Sequence, residues 1–303
     1  MTMSGKTVLV TGGTGGIGKE TARALAAMGA HVLLVGRDGA RAEAAARELG
    51  GGPGGAAVSA FTADLSRQAG LRALADEVGA RHGRLDVLIN NFGGMTASRT
   101  LTGDGVETTF AANVLAPYTL TCLLLPLLRA APAARVVNLT GGIPGGPIDP
   151  ANLEAEKRHL GWTFSQYNHA KTALMAMSRR FAAHLADEAV TVNVAYPGHA
   201  STPGNQALTA AAFPYAYRPL APLLRLLGPR LLNDLTRPTR SSLYLASSAE
   251  MQGVTGVYVN AKVERTPWPA GVLDEAACDA VWERCRQRSG LTPRPPSRGR
   301  ATG

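Results

Sequence analysis

Tyr167 and Lys171 stand four residues apart in the run YNHAKTALMAMSRRFAAHL, Tyr167 to Leu185, where apolar residues recur at helical spacing and neither Gly nor Pro intervenes. That spacing predicts a helix carrying the phenol and the ammonium on one face. A phenol in water titrates near ~10, and a neighbouring cation shifts it toward phenolate, as proton transfer at neutral pH requires. The same pair also fits a buried tyrosine beside a surface lysine, so its meaning rests on the elements around it.

Those elements alternate. Lys6–Thr11 (KTVLVT), His31–Gly36 (HVLLVG), Ala57–Thr62, Leu85–Asn90 (LDVLIN), Arg135–Thr140 (RVVNLT), Ala189–Tyr196 and Gly256–Asn260 read as strands. Between them, Ile17–Gly29, Gly39–Leu49, Arg67–His82, Asp104–Ala130, the Tyr167 run and Thr239–Ser248 read as helices. Such alternation predicts an α/β fold, a doubly wound parallel (Rossmann) sheet with strand order 3-2-1-4-5-6-7. One catalytic domain is expected over 1–262, with 263–303 an extension. The irregular, proline-rich stretch His199–Pro238 follows the carboxyl end of a strand, where open α/β sheets bind ligands, and is expected to be a substrate lid.

The loop after the first strand reads Thr11-Gly12-Gly13-Thr14-Gly15-Gly16-Ile17-Gly18. Gly12 permits a tight turn, Gly16 lets a ligand approach the backbone, Gly18 allows close helix–strand packing, and the helix start offers amides to phosphate. At the end of the second strand, the carboxylate that would hold a ribose 2′-hydroxyl is replaced by Gly36, followed by Arg37. A guanidinium there suits a 2′-phosphate and predicts NADP over NAD, with Asp38 next door as a counterweight.

Composition narrows the classes. The 303 residues suffice for one large α/β domain, and no run reaches the ~18 uninterrupted apolar residues of a membrane span. With no leader-like start, a cytoplasmic protein is expected. Three cysteines, Cys122, Cys278 and Cys285, form neither a disulfide framework nor a metal set. The net charge of +9 invites nucleic acid, but six arginines fall between Arg284 and Arg300, in what reads as a disordered, solvated basic tail. No nucleic-acid partner is expected.

The glycine loop, Asp64-Leu65, Asn90-Asn91-Phe92-Gly93, Asn113 and Tyr167-x-x-x-Lys171, in that order, resemble the short-chain dehydrogenase/reductase family. The runs TGGTGGIGKETARALA, TGDGVETTFAANVLAPYTLTCLLLPLL and IDPANLEAEKRHLGWTFSQYNHAK narrow the resemblance to its retinol-dehydrogenase-like branch, over residues 5 to 262. The resemblance implies NADP(H) as cofactor. By position, it implies that Asp64 and Leu65 border the adenine, that Asn91, Phe92 and Gly93 line the cofactor, and that Pro197, Gly198 and Thr202 flank the nicotinamide. It further implies that Lys171 binds the nicotinamide ribose and biases Tyr167, and that Asn113 holds a water leading to solvent. A homo-oligomer, dimer or tetramer, is implied through the two long apolar helices.

One departure bears on the chemistry. The family ends the strand before the tyrosine in two small hydroxyl residues, the second a catalytic serine; here Val136-Val137-Asn138-Leu139-Thr140-Gly141-Gly142 places glycine there. Losing one donor to a developing oxyanion typically costs ~10²–10³ in rate. Three readings compete: Thr140, one position earlier, replaces it, although strand alternation points it to the opposite face; the substrate is activated by its own neighbouring hydroxyl or by water; or the protein no longer transfers hydride.

The sequence therefore supports a ketoreductase or secondary-alcohol dehydrogenase of a bulky lipophilic or polycyclic small molecule. Trp162, Phe164, Phe213, Tyr215 and Tyr217 are candidate pocket residues. The arginine-, alanine- and glycine-rich composition associates it with bacterial specialised metabolism. The alternative is a dehydratase, epimerase or cyclase on the same scaffold, with Tyr167 as acid/base and a cofactor-sensing regulator further behind.

Overall fold

Strands with uninterrupted Val, Leu and Ile, such as VLV at Val8–Val10 and VLI at Val87–Ile89, are apolar on both faces and must be covered on both. In the computed structural model they are. The structure describes residues 2–51, 57–143, 145–198, 209–221 and 234–293. Its strands are β1 (Thr7–Thr11), β2 (His31–Gly36), β3 (Val58–Thr62), β4 (Val87–Asn90), β5 (Ala134–Leu139), β6 (Val190–Ala195), β7 (Tyr258–Val259) and β8 (Arg265–Thr266). They form one sheet in the order β3-β2-β1-β4-β5-β6-β7-β8, parallel except for β8, which pairs antiparallel with β7. The expected order holds, and β8 extends it by one short edge strand.

Helices α1 (Gly16–Ala27), α2 (Gly39–Gly50) and α6 (Thr236–Ser247) supply one core, packed on Val8, Val10, Val32 and Ile89. On the opposite face lie α3 (Gln68–Arg81), α4 (Thr108–Arg129) and α5 (Gln166–His184), with the C-terminal α7 (Ala270–Leu273) and α8 (Glu275–Ser289). Helix α4 is long and apolar enough to cross a membrane, yet 78% of its most apolar window is buried inside the protein, as befits a core helix. It does not run evenly: Ala111–Leu115 forms a π-helical turn, and Asn113 lies on it. Such turns widen a helix locally and frequently mark functional positions.

The expected disordered basic tail is corrected over 284–289. Those residues belong to α8, whose Val281 and Cys285 are fully buried and whose Trp282 stands edge-on to Tyr118 of α4 and Phe181 of α5 at 5.1 and 4.8 Å. Arg284 and Arg288 pair with Glu154, a carboxylate only 1% exposed. The charge that resembled a solvated tail is thus partly spent on a buried acid, and the extension completes the domain's core. The remainder, from 294 onward, lies outside the described residues.

Helix α8 also covers part of the surface to which the resemblance assigns a subunit contact. Arg179 and Arg180 of α5 pair with Glu275, and Arg180 also with Asp279, so that flank of α5 faces its own chain. Trp282→Ala should lower the unfolding free energy by about 3 kcal/mol, the low end for loss of a large packed aromatic, measured by urea denaturation.

Candidate active site

The order of the sheet reverses between β1 and β4, which opens a crevice at their carboxyl ends, and the sequence-chosen residues gather there. Gly12 and Gly16 take φ of +63° and +56°, left-handed values that favour glycine. A Cβ on Gly18 would strike the Asn91 amide and the Gly12 carbonyl, so α1 enters close against the loop. The α1 cap, Gly15, makes no side-chain capping bond and the first turn holds no acid. Its amides are therefore open to an anion.

Asn91 holds this loop: its amide donates to the Thr11 and Gly12 carbonyls at 2.9 and 3.3 Å, while the Thr11 hydroxyl accepts from the backbone of Asn91 and Phe92. Its side chain shapes the cradle from behind. Leu65, next along from Asp64, has its side chain buried in the core. Asp64 is bound by the Ser66 amide and hydroxyl, and these hold its carboxyl below the ordinary range, with Arg37 and Arg67 assisting.

At the other end of the crevice the helix prediction is realised, and Lys171 sits one turn along α5 from Tyr167. Lys171 is buried, and Nζ donates to the Leu139 carbonyl at 2.9 Å, leaving donors to spare. Asn113 is fully buried; its amide donates to Gly94 O and Thr109 O, while Oδ1 has no partner. Gly93 lies between them: a Cβ there would collide with Asn113 Oδ1 and stand 3.2 Å from Lys171 Nζ. An unpaired buried acceptor beside an ammonium with spare donors is a place for a water or a ligand hydroxyl.

Electrostatically, the site corrects the opening expectation. Lys171 Nζ is 5.8 Å from the centre of the Tyr167 ring, and no hydrogen bond joins the two. Burial therefore dominates each group: it pushes Tyr167 up to about 12, with the Tyr196 phenol adding to the effect, and Lys171 down to about 7. The cation does not by itself make the phenol acidic.

Thr140 is corrected too. It is buried, and its hydroxyl donates to the Lys171 backbone carbonyl at 3.3 Å, so it ties β5 to α5 and does not fill the serine's place. That place is taken otherwise: a Cβ on Gly141 would stand 2.7 Å from the Tyr167 hydroxyl. Pro197 and Gly198 follow closely on the end of β6, while Thr202 and His199 lie outside the described residues. Of the lid, residues 209–221 are described, and Tyr215 and Ala216 donate backbone bonds to Gly161 and Trp162, so the two variable segments meet. Phe164 packs between Arg158 and His169, whereas Trp162 is 71% exposed.

Several contributors went unrecognised in the sequence. Buried Asn138 accepts from Asn90 of the recognised motif and donates to Ser178, a polar ladder under the site whose linear signal for Asn138 is an amide inside VVNL. Glu107 caps the start of α4 and accepts from Gln166 at the start of α5, bracing Asn113 against Tyr167. Arg41, four residues after Arg37, brings its guanidinium 3.8 Å from where a Gly15 Cβ would be.

The chain's likeness to known proteins follows this arrangement. Residues 6–147 match the family model described as short chain dehydrogenase. Human retinol dehydrogenase 13 is 32% identical over 291 residues, covering 96% of this chain and 86% of that protein. The chain belongs to the short-chain dehydrogenase/reductase family, in its retinol-dehydrogenase-like branch. Mouse retinol dehydrogenase 14 is 34% identical, covering 93% of this chain and 85% of its own length. Among solved structures, the Pseudomonas aeruginosa RhlG/NADP active-site complex is similar with a TM-score of 0.65 and 28% identity, over 86% of this chain and 95% of that one. As a family member the protein is an oxidoreductase, and the open helix start, spare lysine donors and orphaned Asn113 Oδ1 fit a nicotinamide dinucleotide.

The depressed Lys171 value carries a stability consequence. Between about 7 and the free-lysine value near ~10.4, the unfolded chain holds a proton that the folded chain does not, so stability rises with pH. Above ~10 the unfolded tyrosine ionises while Tyr167 keeps its proton to about 12, and that contribution falls. Thermal melts of the cofactor-free protein should climb from pH 7 to about 8.5, above which the unfolded thiols ionise while burial keeps Cys122, Cys278 and Cys285 protonated in the folded chain and opposes the climb; Lys171→Met should flatten the rise.

Proposed function

We propose that the protein is an NADP(H)-dependent ketoreductase or secondary-alcohol dehydrogenase of a lipophilic or polycyclic small molecule. The observation that carries the reading is the constellation of half-buried Tyr167 with buried Lys171 and Asn113, and its unpaired Asn113 Oδ1. When bound, NADPH supplies a hydride to the carbonyl carbon. Tyr167 would give its proton to the carbonyl oxygen, and Lys171, whose spare donors would hold the cofactor, would stabilise the phenolate that results. Asn113 Oδ1 holds the water by which that proton is restored.

Preference for the 2′-phosphate draws support from the end of β2. A Cβ on Gly36 would collide with the Thr14 methyl, so a carboxylate for the 2′-hydroxyl does not fit there without displacing Thr14. Arg37 is exposed and makes no ion pair among the described residues, Arg41 leans over the loop, and Asp38 is occupied in capping α2 by accepting from Arg41 N. A lipophilic substrate is supported by the retinol dehydrogenases among the relatives and by the exposed Trp162 and Tyr215 where the lid meets the insert before Tyr167.

A second reading, a dehydratase, epimerase or cyclase, is favoured by Gly141 alone. Nicotinamide absorbance followed with a panel of polycyclic and long-chain ketones separates the two: net NADPH oxidation supports the first, and product without net oxidation the second. Tyr167→Phe should lower the rate by about 10²-fold or more while leaving NADPH bound. Arg37→Ala should weaken NADPH by about tenfold or more and leave NADH affinity unchanged, as titration by fluorescence would show.

A further inference from the structure

The glycine at the serine position leaves a reacting carbonyl oxygen short of one donor, and a second phenol, that of Tyr196, is bonded to the carbonyl of the next residue, Gly142. Tyr196 is the residue after β6. Its backbone is fixed from two sides: its N–H donates to Val259 O at 2.9 Å, and its carbonyl accepts from the Ser241 hydroxyl at 2.9 Å. Along β6 it follows Val190, Val192 and Val194, all in the core shared with α5, so its ring lies on the side of the sheet that carries Tyr167. The hydroxyl donates to Gly142 O at 3.1 Å, one residue from Gly141. Tyr196 is half-buried, and its phenol is near enough to Tyr167 to add to the effect of burial in making that residue a weaker acid.

Gly141 leaves the space against the Tyr167 hydroxyl, and a side chain on Gly142 would strike Asn168 Oδ1 and come within 3.2 Å of Tyr167 Cε1. The other nearby hydroxyl, Thr140, is committed to the Lys171 carbonyl.

We propose that Tyr196 is the second donor to the substrate oxygen, exchanging its bond to Gly142 O for one to the carbonyl as hydride adds, so that two phenols replace the tyrosine–serine pair. This rests on the hydride-transfer reading above. As the C–H bond forms, the carbonyl π pair moves onto oxygen; Tyr167 transfers its proton there, and Tyr196 donates a hydrogen bond and keeps its own. A phenol, titrating near ~10, is a stronger donor to such an oxygen than an aliphatic hydroxyl, and a preorganised donor of this kind is worth ~10²–10³ in rate.

Tyr196→Phe keeps the ring and removes the hydroxyl. The expected result is a kcat lower by about 10²-fold, with NADPH affinity and melting temperature near those of the wild type. To separate donation from support of the Gly142 turn, 3,5-difluorotyrosine at 196 preserves shape while making the phenol more acidic, and kcat should rise or hold. A readout without turnover is 4-nitrophenol added to the NADP⁺ complex: the wild type should favour nitrophenolate and bind it at least tenfold more tightly than Tyr196→Phe. A Tyr196→Phe enzyme within threefold of wild-type kcat, or nitrophenolate affinity indifferent to the substitution, overturns the proposal. A wild type that oxidises no NADPH with any ketone yet binds nitrophenolate through Tyr196 overturns the hydride reading instead.

Discussion

A lysine ammonium taken out of water and left with one carbonyl partner among the described residues is costly to hold, and the carboxyl end of the sheet is organised around that cost. Lys171 reaches it because α5 packs flat on β5 and β6 through Ala170, Ala173 and Leu174, which carries Nζ to the Leu139 carbonyl. The π-helical turn of α4 then sets Asn113 opposite, and Gly93, lacking a side chain, leaves the gap between them open. A protein that buried this ammonium for stability alone would gain more from an apolar residue. Its retention with an unpaired acceptor alongside is intelligible as preparation for a ligand that completes the network.

The same reasoning explains why parts distant from the crevice matter. Glu107 caps α4 and accepts from Gln166, the first residue of α5, so the two helices that bring Asn113 and Tyr167 together are joined at their starts. Glu154 donates nothing to the crevice, but it accepts from the Glu107 amide and is neutralised by Arg284 and Arg288 of α8. A carboxylate this buried would be strongly destabilising without those cations. The C-terminal helix thus bears on the geometry of the site through a chain of buried polar contacts, as well as through Trp282.

Desolvation, which raises Tyr167 and lowers Lys171, also bears on the replaced serine. With Gly141 in its place, the Tyr167 hydroxyl stands where a Cβ would otherwise press on it, and the Tyr196 phenol bonds the carbonyl of the adjoining Gly142. The corner is therefore rebuilt with different groups.

How much of this was legible in the chain depends on the range of the interaction concerned. Strand and helix periodicity, the glycine loop and the Tyr167–Lys171 spacing are local, set by backbone sterics and by burial of one face, so the α/β architecture, strand order and crevice could be read from sequence. Element ends shifted by a few residues, as at α6, which begins at Thr236 where the apolar pattern suggested Thr239. Non-local facts were hidden. Arg284 and Arg288 look like tail charge until Glu154, 130 residues away, is seen beneath them, and Thr140 looks like a spare hydroxyl until the Lys171 carbonyl is found against it. The sequence by itself determined which groups are present and which local elements carry them. Only the tertiary structure decided their charge and their partners, because desolvation and hydrogen bonding depend on what packs against a group in space.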